Sequence, residues 1–180
     1  MSDRTDFNYR TASGIPVHRV PTPLARRFNQ ICTSVLVEAL AGDDLTPTQF
    51  AALRYLADEP DIDQNGLAMR LGIDHVSTGE LVKHLEAIKL VERRINGADR
   101  RARCLRLTRK GKLLEGRVRP KVRAAHQQML APLGVERGEL LLDLLVELVT
   151  ANDAYARPGA ARRKPRRPGS KLNSAREKAP

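Results

Sequence analysis

The sequence predicts a mainly α-helical chain that carries one small β-hairpin. Apolar residues recur at helical spacing through most of residues 24–155. Aromatics make up only 3% of the chain and Trp is absent, so the core must come from Leu, Val, Ile and Ala. That composition suits helices packed on helices better than a β-sandwich. Two short β-type runs flank a turn-forming segment near the middle of the chain. A length of 180 residues allows one domain of ordinary size with tails.

Residues 1–19 are polar and predict a flexible arm. From Leu24 the steps Leu24, Phe28, Ile31, Val35 and Ala39 predict a helix ended by Gly42-Asp-Asp44. Thr46-Pro-Thr-Gln49 reads as a capping box with Pro at the first helical position. The helix it opens buries Phe50, Leu53, Leu56 and Ala57 and stops at Glu59-Pro60. Asp63 can cap a short helix carrying Leu67, Ala68 and Leu71. Gly72-Ile-Asp74 supplies a turn, and Asp74 can cap a helix over 74–89 with Leu81, Val82, Leu85 and Ile88 inward. Two short helices joined by a tight Gly turn make a helix-turn-helix, although any αα-hairpin carries the same pattern.

The segment after the second helix narrows the choice. Leu90–Ile95 and Arg103–Leu107 read as strands, and Asn96-Gly-Ala-Asp-Arg-Arg-Ala102 between them reads as a turn with a basic tip. A charged hairpin directly after that helix makes a wing. Thr108-Arg-Lys-Gly-Lys112 opens a long helix with Leu114, Val118, Val122, Ala125 and Met129 on one face, and Pro120 within it predicts a bend. The last helix, Glu136 to about Tyr155, is apolar around most of its circumference, from Leu140 to Val149. One small domain cannot bury so broad a surface, which predicts a partner chain. The fold class is therefore mainly α with a small β-hairpin wing: a winged helix-turn-helix domain plus a helical dimerisation region over 20–156, with the DNA-binding lobe at about 46–110.

The formal charge is +11, from 32 basic and 21 acidic residues. Residues 157–180 hold nine Lys or Arg against one Glu, a net of +8, which leaves +3 for the rest. The Pro, Arg, Lys and Ser content there predicts a disordered basic tail. Most of the basicity is thus not evidence of a folded nucleic-acid surface. Cys32 and Cys104 lack metal-type spacing, and His18, His75, His84 and His126 are dispersed, so neither a metal nor a cofactor is expected. Two reduced thiols suit a cytoplasmic, nucleoid-associated protein. The first six residues include three charges and lack an apolar run, and no apolar stretch approaches a membrane span, so neither leader nor membrane partner is expected. A Gly-rich phosphate loop, a nucleophile elbow and a clustered Cys/His set are all lacking, which argues against an enzyme and leaves no catalytic residues to name.

Asp99-Arg-Arg101 at the wing tip, Leu105-Arg-Leu-Thr-Arg-Lys-Gly111 after it and Leu45-Thr-Pro-Thr-Gln-Phe50 upstream together resemble the MarR (multiple-antibiotic-resistance regulator) family over about residues 20–155. The resemblance implies a triangular homodimer in which the first, fifth and sixth helices of both chains interlock. It also implies control of nearby genes, with a small ligand setting DNA affinity. Lys89 departs from the family, which has Gly just before the first wing strand. A Gly suits a left-handed helix end, so Lys89 must carry strain or end the helix differently.

On this reading helix 74–89 enters the major groove of duplex DNA. His75, Ser77, Thr78, Gly79, Glu80, Lys83 and His84 are its candidate contacts, the hydroxyls and Gly permitting close approach. Glu80 can accept from cytosine N4 or pair with Lys83 or His84. Arg100 and Arg101 are candidates for the minor groove or its phosphates. The resemblance implies that Asp99 holds a neighbouring Arg. Arg93, Arg94 and Arg103 are either phosphate contacts or solvated strand residues. A dimer sets two such helices about 34 Å apart, which predicts a palindromic operator. The tail adds sequence-independent affinity.

The resemblance also implies a ligand site between dimerisation helices and DNA-binding lobe, at Arg26, Arg27, Phe28, Cys32, Arg54 and Tyr55. Arg beside Phe and Tyr suits an aromatic acid. Asp74-His-Val-Ser-Thr-Gly79 resembles members associated with aromatic-compound catabolism, so an aromatic carboxylate or its thioester is the expected effector. Two other readings stay open: a thiol switch at Cys32, and an architectural nucleic-acid binder driven by the tail.

Overall fold

In the computed structural model, which describes residues 9–17, 19–95 and 103–156, prolines and caps set where each helix begins. The first helix, α1 (Pro21–Ala39), starts three residues before Leu24. Pro21 and Pro23 fit its first turn because amides there have no helical acceptor to lose. The stretch expected as a flexible arm contains a small hairpin, β1 (Tyr9–Arg10) against β2 (Pro16–Val17). Its turn is closed by the Thr11 amide donating to Ile15 O at 2.9 Å, with Gly14 at φ +78°.

Local capping sets the helix-turn-helix. Helix α2 (Pro47–Asp58) opens on the reciprocal box: the Gln49 amide donates to Thr46 Oγ1 at 3.2 Å and the Thr46 amide to Gln49 Oε1 at 2.9 Å. Helix α3 (Gln64–Leu71) opens with the Gly66 amide donating to Asp63 Oδ1 at 2.7 Å and ends on Gly72 at φ +66°. Helix α4 (His75–Ala87) opens with the Val76 and Ser77 amides both donating to Asp74 Oδ1 at 3.0 Å. It ends through Lys89 in the left-handed region at φ +61°, so the strain expected from a missing Gly is present.

The chain then forms the wing, β3 (Val91–Ile95) antiparallel to β4 (Arg103–Leu107), in a register pairing Val91 with Leu107 and Ile95 with Arg103. The loop after α2 joins this sheet: the Leu105 amide donates to Ile62 O at 2.8 Å and the Asp61 amide to Leu105 O at 3.2 Å. Asp61 sits at φ +73°, held by both carboxylate oxygens on the Arg106 guanidinium. Thr108 ties wing to helix ends. Its hydroxyl donates to Lys89 O at 2.7 Å and accepts from the Gly111 amide at 3.0 Å, capping α5 (Arg109–Leu130). Gly111 lets α5 lie directly against the wing's start, since a Cβ there would fall 2.1 Å from Leu90 O.

Leu53, Leu56, Leu67, Val82, Leu85, Leu105 and Val118 meet in one core to which α2, α3, α4, β4 and α5 all contribute. Helix α1 packs along α5. Its loop carries Asp43, whose buried carboxylate accepts from Lys121 at 2.7 Å and from Arg117 at 2.9 Å. A second buried carboxylate, Glu115, accepts from Arg119 at 2.7 and 2.8 Å and faces Arg54 at 3.5 Å. Pro120 does not interrupt α5; it is exposed, as is Gly116, whose carbonyl loses its amide partner there.

After a 3-10 turn at Ala131–Leu133, α6 (Val135–Ala151) leans on that turn and on α7 (Asp153–Ala156). The sequence pattern predicts one helix here; the chain breaks it at Asn152, whose side chain donates to Leu148 O at 2.8 Å. Leu140, Leu142, Leu144, Val146, Leu148 and Val149 are all exposed in the protomer. Among the described residues no helix is long and apolar enough to cross a membrane.

Candidate nucleic-acid interface and effector cleft

The faces of α4 are set by which residues it buries. Thr78, Val82 and Leu85 point into the core, and α4's helical period then turns Val76, Glu80, Lys83 and Ala87 directly outward. This corrects the expectation for Thr78. It is fully buried, and its hydroxyl donates to Asp74 O at 2.9 Å, one helical turn back, so it cannot face a base. Ser77 is exposed, but its hydroxyl donates to Asp74 Oδ2 at 2.8 Å and completes the cap.

The remaining predicted contacts of α4 divide by side. His75 and Gly79 flank the outward stripe toward α3. Gln64 Nε2 lies 3.3 Å from His75 Nε2, and a Cβ on Gly79 would come within 3.2 Å of the same amide. Here Gly serves helix-on-helix approach. Glu80 and Lys83 pair with each other at 2.7 Å while both stay well exposed, so the pair is weakly held and open to competition. His84 lies to the other side, in a groove with Leu45, Ile88 and Leu114.

At the wing, Arg93 is not a free strand cation. Its Nη1 donates to Glu86 Oε2 at 2.6 Å and its Nη2 to Gln64 Oε1 at 3.2 Å. Arg94 donates to Glu92 at 2.8 Å, Arg94 being exposed and Glu92 half-buried. Arg103 is exposed at the start of β4. Asp99, Arg100 and Arg101 lie outside the described residues. Sequence reasoning missed Gln64 and Glu86, whose importance comes from contacts 29 and 7 residues away in the chain.

Two of the six expected effector residues, Arg26 and Arg27, line a cleft of about 500 Å³ between β2 and the first turns of α1. Phe28 and Cys32 follow on α1 and are half-buried. Arg54 lies on α2 away from that cleft, where its guanidinium donates to Asp58 at 2.5 Å and faces Glu115 at 3.5 Å. Tyr55 packs against the core from α2. The surroundings of the two thiols do not favour a thiol switch. The Cys32 thiol donates to Met129 Sδ at 3.7 Å, and burial pushes its pKa up. Burial, then the Asp61 carboxylate, raises that of Cys104. Both shifts run opposite to the one that activates a thiolate. Among the described residues no cluster of His, Cys, Asp or Glu could hold a metal.

Helix-turn-helix, wing and a capped, outward-facing second helix define a winged-helix protein of the transcription-regulator class. The chain belongs to the MarR family. The family model described as MarR family matches residues 43–102. Transcriptional regulator HosA of Escherichia coli O111:H- is 30% identical over 108 residues, 60% of this chain and 80% of that protein. The homoprotocatechuate degradative operon repressor of Escherichia coli is 29% identical over 111 residues, 62% of this chain and 75% of the relative. Among solved structures, the transcriptional repressor CouR bound to a 23-mer DNA duplex superposes with a TM-score of 0.67 at 27% identity, covering 72% of this chain and 92% of that one.

Proposed function

We propose that this chain is a homodimeric, sequence-specific repressor that reads a palindromic operator with α4 and is released by an aromatic carboxylate or its thioester. The observation that carries the reading is the outward stripe of α4, open to solvent and backed by a rigid core, in a fold shared with a repressor solved on duplex DNA. His75, Gly79, Glu80 and Lys83 remain its candidate contacts from α4. Arg94 and Arg103, with Asp99, Arg100 and Arg101 of the wing tip, are its candidates for the backbone and minor groove. The exposed leucine face of α6 supports a second copy as partner, because a monomer would leave that face in water. Arg26 and Arg27 supply cations, and Val17, Pro23 and Leu24 an apolar wall, for an aromatic anion, and the kinship to an aromatic-catabolism repressor favours the same ligand class.

The test is fluorescence anisotropy of the full chain and of a chain ending at Ala156, on its own upstream DNA and on scrambled DNA, across a salt series. Selective binding by both forms, weakened by simple hydroxybenzoates or an aryl thioester, supports the reading. Binding lost with the basic tail, or equal on both duplexes, means that residues 157–180 drive a general nucleic-acid affinity instead.

A further inference from the structure

One residue of α4's outward stripe has no part in the fold. Val76 is 74% exposed, in the first turn of a helix whose buried face is Thr78, Val82 and Leu85. The polar groups around it are already engaged. Asp74 holds the amides of residues 76 and 77 and the Ser77 hydroxyl, while His75 turns to Gln64. What this turn offers outward is a pair of methyl groups.

Those methyls stand where a recognition helix brings its N-terminal residues to base edges. A valine there cannot bind phosphate, so it serves no backbone contact. In a helix its χ1 is restricted to essentially one rotamer, which makes it a stiff wedge. The one apolar group that the major groove presents is the thymine 5-methyl. We propose that Val76 reads the 5-methyl group of one thymine in each operator half-site, and so sets specificity at that base pair. The inference rests on the assignment of α4 as the groove-reading helix. Glu80, one turn further along the same stripe, then lies over the neighbouring base pair, where its carboxylate can accept from an exocyclic amino group.

Operator duplexes selected by the full-length protein from a random library provide the probe. Each thymine is replaced in turn by deoxyuridine, which removes only the methyl, and wild type and Val76→Ala are titrated on every duplex. Wild type should lose about fourfold in affinity at one thymine per half-site, and on the order of tenfold when both are changed. Val76→Ala should bind the parent operator about that much more weakly and show no further loss on the deoxyuridine duplex. Alanine is the better helix former, so this loss cannot come from unfolding of α4. A flat scan with wild type, or a thymine loss that persists undiminished in Val76→Ala, overturns the proposal. Lys83→Glu separates the two levels. If it abolishes selective binding while the scan is flat, only the Val76 assignment fails. If neither Lys83→Glu nor Val76→Glu changes binding, or no sequence is selected, α4 does not read the groove and both readings fall.

Discussion

Arg93 of the wing donates through Nη1 to Glu86 of α4 at 2.6 Å, and through Nη2 to Gln64 at the start of α3. With Gln64 also against His75, one guanidinium links both ends of α4 to the base of the wing. Helix α4 and the wing are therefore oriented as one unit. Charged hydrogen bonds that are partly withdrawn from water, as here, hold geometry better than exposed pairs do.

Glu86→Gln should weaken operator binding by about three- to tenfold. The sign is the informative part. Removing a negative charge beside DNA would by electrostatics alone tighten binding. Weaker binding, measured by anisotropy at fixed salt, means that Glu86 acts by orienting Arg93. Tighter binding would refute the linkage.

Thr78→Val keeps the shape of a buried side chain and removes a hydroxyl whose partner is the helix's own Asp74 carbonyl. The expected result is a stability loss of about 0.5–1.5 kcal/mol in urea unfolding, with the ratio of operator to scrambled-DNA affinity unchanged. A changed ratio would return Thr78 to the DNA interface.

Lys89→Gly should stabilise the protein by roughly 1 kcal/mol, because Lys89 holds a left-handed conformation that costs an L-residue about that much and glycine almost nothing. Gly111→Ala should do the reverse. A Cβ 2.1 Å from Leu90 O must push α5 off the wing's start, at a cost of about 1–3 kcal/mol or more. Denaturant midpoints of the two variants should move in opposite directions.

Two carboxylates make stability pH-dependent. The Lys121 ammonium, and then the Arg117 guanidinium, hold the Asp43 carboxyl below its ordinary range. Arg106 does the same for Asp61. A lowered folded-state pKa contributes stability that is present above the ordinary carboxylate value, about 3.9, and lost as pH falls through the folded value. Thermal midpoints should therefore drop as pH is taken from about 5 to below about 3, and Asp43→Asn should flatten that slope. An unchanged slope would show that the pairs are not intact in solution.

Much of this was legible because it is local. The caps at Thr46, Asp63 and Asp74, the break at Gly72 and the strain at Lys89 each involve atoms within about four residues, so side-chain type and spacing suffice. The bare face of α6 was legible for a related reason, since helical periodicity alone exposes more leucine than one layer can cover.

The rotation of α4 about its axis was legible only to within a few tens of degrees. The apolar pattern placed Leu81, Val82, Leu85 and Ile88 inward, and all four pack on the core, Leu81 and Ile88 at its edge; but the buried stripe also runs through Thr78, expected as a DNA contact, whose hydroxyl is satisfied by its own helix. That few tens of degrees decides which side chains face outward, and it is set by packing against α3 and the wing. The pairing of Arg54 with Glu115 across 61 residues, and of Arg93 with Gln64 across 29, was equally hidden. The sequence by itself determined the helices from α1 to α6, their caps and the apolar breadth of α6, because i to i+4 chemistry and the helical period dictate them. Only the tertiary structure decided which cations remain available to a ligand and which face of α4 is open, because ion pairing and helix phase depend on neighbours distant in the chain.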